Sequence, residues 1–192
     1  TSRYLIKDGV SSDRRFLAAK IISDVDMAPR SALILTLPTG LAAARASGYL
    51  DIAWLWVILA FALAALWLGL AWYLHHKHGA MKSLQQADRF IRWALMLGLL
   101  IAAVTALGGG IAMPLFVTLK LLVLAACVAL GLIIRRVLRP LGPALQVIAS
   151  PDPAEGEKVL AATLVRARPL VAGIWTLLLI AAFFGLLKPV AL

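Results

Sequence analysis

Apolar residues in this chain come in long unbroken runs. They show neither the alternation of a half-buried strand nor the narrow stripe of a surface helix. The most continuous run extends from Met113 to Ile134 and is followed directly by Arg135 and Arg136. Of its 22 residues, only Pro114, Thr118, Lys120 and Gly131 fall outside the apolar set. Coiled into a helix it measures about 33 Å, enough to cross a hydrocarbon core about 30 Å thick. The run Ile52–Leu74 holds no charge and places Trp54, Trp56, Trp72 and Tyr73 near its ends, as interfacial aromatic belts do. Residues 90–107 and 170–187 predict two further spans.

A fifth span, residues 27–46, is shorter in its apolar part and carries Arg30 at its inner edge, where the side chain can snorkel. Pro38 and Gly40 predict a kink there that frees backbone carbonyls in mid-membrane. The segments between spans are polar. Residues 1–30 contain an amphipathic stretch, Phe16–Ile22, suited to the membrane surface. Residues 75–92 read as a basic loop. Residues 135–169 read as a longer loop, with four prolines between 140 and 153 and a short amphipathic helix over 155–168. Arg45-Ala46-Ser47-Gly48 and Gly108-Gly109-Gly110 are the predicted turns. The pattern predicts an all-α, polytopic transmembrane helical bundle of about five spans, one integral membrane domain over residues 1–192. The chain opens on Thr1, not Met, and one more helix is expected upstream.

Composition agrees: 62% of the 192 residues are apolar and the mean hydropathy is +0.94, against about 45–50% apolar in soluble domains. The net charge of +10 invites a nucleic-acid reading, which the distribution excludes. The cations cluster at the ends of apolar runs, where they act as topology signals. Segments 1–30, 75–92 and 135–169 hold sixteen of the nineteen Lys and Arg, while the opposite side receives only Arg45 and Lys188. Positive residues stay inside, so the N-terminus is expected in the cytoplasm and the C-terminus outside, with residues 135–169 a cytoplasmic loop. The single cysteine, Cys127, has no internal disulfide partner.

Lys120 is the one charge in the interior of a predicted span. It sits roughly 10 Å below the outer end of its helix. There it costs about 1–3 kcal/mol unless it snorkels or finds a partner. No acidic residue lies inside any predicted span, which leaves Asp51, at the outer end of the second span, as the candidate counter-ion. Thr36 and Thr39 on the kinked span are candidate acceptors. Lys120, Thr36, Thr39 and Asp51 therefore form the candidate site, an outward-facing pocket for an anionic or carbonyl-bearing ligand. His75, His76 and His78 are residue types that hold copper, zinc or haem iron. Lys77 stands among them and no second ligand cluster accompanies them, so no metal is expected there. Gly98-xxx-Ala102 and Ala125-xxx-Ala129 read as helix-packing positions. With no phosphate loop, CxxC pair, nucleophile elbow or acid–base pair, the sequence leans away from an enzyme.

Asp26-Met27-Ala28-Pro29 leading into Leu33-Ile34-Leu35-Thr36-Leu37-Pro38-Thr39-Gly40-Leu41 resembles the second-helix signature of the CopD-like superfamily of small bacterial membrane proteins. That superfamily includes the HemJ-like protoporphyrinogen oxidases. Leu119-Lys120-Leu121-Leu122 resembles their lysine-bearing helix. The resemblance implies a bacterial inner membrane and, for cofactors, haem or copper. A histidine is expected near the lysine in HemJ-like proteins, whereas Cys127 and apolar residues stand here. The resemblance is therefore nearest to the uncharacterised branch. Two functional classes follow. One is a membrane protein handling a small ligand, metal or tetrapyrrole around Lys120. The other is a non-catalytic helical subunit or assembly factor of a larger membrane complex. Membrane lipids are the expected partners, with other membrane subunits or further copies of the chain beside them; nucleic acid is not.

Overall fold

A computed structural model describes residues 12–77, 82–148 and 154–187. These form six helices with no strand among the described residues: α1 (Ser12–Ala46), α2 (Trp54–His76), α3 (Lys82–Leu107), α4 (Leu115–Val137), α5 (Leu141–Ile148) and α6 (Ala154–Leu187). Four segments, Trp54–His76, Lys82–Leu107, Leu115–Ile148 and Ala154–Leu187, are long and apolar enough to cross a membrane. The protein is an all-α, multi-pass membrane protein. Its surface agrees with that. On α2, Leu55, Trp56, Ile58, Leu63 and Leu66 are all more than half exposed, an apolar face far too continuous for water.

Several boundaries differ from those the sequence predicts. Helix α3 begins at Lys82 rather than near residue 90. The expected surface stretch and first span are one helix of 35 residues, running through Pro29 and Pro38. The expected amphipathic helix and last span likewise merge in α6, through Pro169. A proline removes one backbone donor and crowds the carbonyl four residues back, which bends a helix; in a bundle, neighbouring groups let it continue. Between 135 and 169, Pro140 and Pro143 help to begin α5, because a helix's first turn has no use for their missing N–H groups. Helix α1 lacks the apolarity of the four spanning segments, being interrupted by Arg30, Pro29 and Pro38.

The chain forms two compact units: Thr1–Met27 with Ala129–Leu177, and Ala28–Val128 with Leu178–Leu192. In the first, Ala18, Leu145, Ile148, Leu160 and Leu164 make a buried cluster. Gly156 on α6 sits so near α5 that a Cβ there would lie 2.8 Å from the Ala144 carbonyl and 3.0 Å from the Ile148 amide. In the second, Leu99, Leu124 and Ala125 form the centre, with Leu33, Leu37, Leu95, Met96 and Leu121 packed around them. The face that α3 buries is Asp88, Arg92, Leu99 and Ala103. Gly98, expected to pack, has nothing within 4 Å of its ideal Cβ.

Both predicted turns close their helices in the same way. After α1, Tyr49 N–H donates to the Ala44 carbonyl at 2.9 Å and Gly48 N–H to the Arg45 carbonyl at 3.1 Å, with Gly48 at φ +74°. After α3, Gly110 N–H donates to the Thr105 carbonyl at 2.8 Å and Gly109 N–H to the Ala106 carbonyl at 3.1 Å, with Gly109 at φ +76°. These are Schellman caps, which need a residue able to adopt a left-handed backbone.

Candidate functional site

In the second unit a cleft of about 640 Å³ opens among α1, α4 and α6. Leu37, Leu41, Phe116, Leu121, Leu124, Leu178 and Ala181 give it an apolar wall, and Lys120 is the one charged residue lining it. The Lys120 ammonium lies 5.9 Å from the centre of the Phe116 ring. That cation–π contact is its interaction among the described residues, where it has no hydrogen-bond acceptor and no carboxylate partner. Gly185 makes room for it: a Cβ at that position would lie 2.7 Å from Lys120 Nζ. Phe116 is held in turn by Tyr49, edge to face, with ring centroids 5.0 Å apart.

Thr36 and Thr39 also line the cleft, so the structure brings them together with Lys120. Their hydroxyls do not reach it. Thr36 Oγ1 donates to the Ala32 carbonyl at 2.8 Å, and Thr39 Oγ1 donates to the Leu35 carbonyl at 2.7 Å. A hydroxyl inside a helix finds the carbonyl one turn back more readily than a distant cation. Asp51 lies outside the lining. It accepts from Arg45 Nη1 at 3.1 Å across the α1–α2 turn, not from Lys120. With its carboxylate fully exposed, that pair is screened by water and contributes little to stability.

The histidines end α2. His76 Nδ1 lies 2.9 Å from the Trp72 carbonyl, so this nitrogen carries the proton and the ring stacks on Trp72 at 5.5 Å. His75 meets His76 edge to face at 5.3 Å. His78 lies outside the described residues. Among those described, no three His, Cys, Asp or Glu side chains converge as a metal site.

A second polar centre escaped the sequence reading. Asp88, 1% exposed, accepts from Trp67 Nε1 at 3.0 Å and from Arg92 Nε and Nη2 at 3.2 Å each. The Arg92 guanidinium lies 5.3 Å from the Trp67 ring centre. An ion pair taken out of water needs its remaining hydrogen-bonding positions filled, and the indole N–H fills one on Asp88. The signal was present in the chain: 88 and 92 continue the stripe 95, 96, 99 and 103 at helical spacing. Assigning residues 75–92 to a loop hid it. No family model, curated protein or solved structure matches the chain.

Proposed function

We propose that this protein is a bacterial inner-membrane protein, its N-terminus cytoplasmic and its C-terminus outside. It holds a small ligand in the cleft through an anionic or carbonyl group placed on Lys120. One observation carries the reading. An ammonium with no acceptor among the described residues faces an apolar cleft of about 640 Å³, within the size range of small-molecule sites. Lys120 is exposed and so open to a ligand, and at membrane depth an ammonium attracts a complementary charge more strongly than it would in bulk water. Residues 27–46 supply one wall, as the fifth span. The resemblance to CopD-like proteins adds the tetrapyrroles as a class, since their carboxylates suit a lysine.

Lys120→Met tests the reading, with the small molecules that copurify with each form extracted and identified by mass spectrometry. The wild type is expected to retain an anionic or carbonyl-bearing molecule that the variant loses, with the helical circular dichroism unchanged. An absorption spectrum of the wild type decides whether that molecule is a tetrapyrrole. Equal extracts from both forms would overturn the proposal and leave a purely structural subunit as the better reading.

A further inference from the structure

Building on that reading of Lys120, we infer that the occupant of the cleft is an anionic amphiphile: one carboxylate or phosphate head on an apolar chain. The polar groups lining the cleft are the Lys120 ammonium and the hydroxyls of Thr36, Thr39, Ser47 and Tyr49. The Thr36 and Thr39 hydroxyls already donate into their own helix. The ammonium is the one cation of the set, with donors enough for one anionic head.

Beyond Lys120 the wall turns apolar. Leu124 and Cys127 follow it on α4 at helical spacing, and Ala181 and Ala182 line the cleft from α6. Lys120 to Cys127 is two helical turns on one face, about 10 Å. A compact hydrophilic anion would satisfy the ammonium but leave this length filled with poorly bonded water, which an apolar chain displaces favourably. Gly185 completes the head region. Any larger residue would place its Cβ 2.7 Å from Nζ and 3.3 Å from Cε and push the ammonium aside. The ammonium ends a flexible side chain and can move, so a small residue at 185 shifts it only slightly, whereas a bulky one would displace it from this position.

The test measures equilibrium binding of dodecanoate, dodecyl phosphate, dodecanol and acetate to the protein in phosphatidylcholine nanodiscs, with empty nanodiscs subtracted. On the wild type, the two anionic amphiphiles are expected to bind saturably. Dodecanol should bind at least about tenfold more weakly, for want of a charge-assisted bond to the ammonium, and acetate should show no saturation. Lys120→Met and Gly185→Leu should each weaken dodecanoate by about tenfold or more, while Lys120→Arg retains it. Phosphatidylglycerol displacing dodecanoate would identify the head as a membrane lipid's; failure to displace it would identify a free single-chain anion. Dodecanol binding as tightly as dodecanoate would overturn the inference. Acetate binding that saturates and depends on Lys120 would overturn the amphiphile while sparing the proposed function. No Lys120-dependent binding of any anion would overturn both. The comparison of ligands on the wild type stands even if a variant fails to fold.

Discussion

Asp88→Ala isolates the cost of breaking the buried triad. The substitution removes the acceptor of three hydrogen bonds, from Trp67 and twice from Arg92, at a position 1% exposed. It leaves a guanidinium, 10% exposed, without that carboxylate. Removing one member of a buried ion pair typically costs about 3–5 kcal/mol, and an unsatisfied indole N–H adds about 1 kcal/mol or more. The loss should therefore be on the order of 4 kcal/mol. For a chain of 192 residues that corresponds to a fall in Tm of roughly 8–16 °C, at about 2–4 °C per kcal/mol. Thermal unfolding of the purified protein in a maltoside detergent, followed by circular dichroism, measures it. Removing both charges in Asp88→Leu with Arg92→Met is expected to recover most of the loss, because the desolvation cost leaves together with the attraction. Trp67→Phe, which deletes one donor and keeps most of the ring, should cost about 1–3 kcal/mol. A single variant as stable as the wild type, or a double variant no better than the single, would refute a buried, mutually satisfied triad.

The same chemical change should have opposite signs at two glycines. Gly156→Ala drives a Cβ against backbone atoms of Ala144 and Ile148 and should destabilise by about 1–3 kcal/mol. Gly98→Ala, with nothing within 4 Å, should gain up to about 1 kcal/mol of helix propensity; thermal unfolding reads both. Gly109→Ala forces an alanine to φ +76° and should cost about 1–2 kcal/mol by the same assay. Ser83→Cys, made with Cys127→Ala, should resist a membrane-impermeant maleimide added to intact cells, because the proposed topology puts the start of α3 in the cytoplasm. Ready labelling would invert the proposed topology.

The runs of apolar residues determined the class of this protein without help. A run such as Met113–Ile134 admits few structures other than a helix in lipid, because only a helix or a closed barrel satisfies its own backbone there. Gly48 and Gly109 were legible for a related reason, since a left-handed cap needs glycine wherever it falls. Lys120 could be singled out because a charge in an apolar run is costly in any bundle. Its surroundings could not be read. That Phe116 lies beside the ammonium, that Gly185 clears space for it and that Asp51 pairs with Arg45 depend on how separate helices approach. Asp88 and Arg92 show the limit most plainly. A charged pair before an apolar run looks like a solvated flank until Trp67, 21 residues earlier on another helix, supplies a hydrogen bond to the buried carboxylate. Transfer free energy accumulates residue by residue along a sequence, and so it gave the spans. Which polar group meets which is a property of tertiary packing, and there the sites were decided.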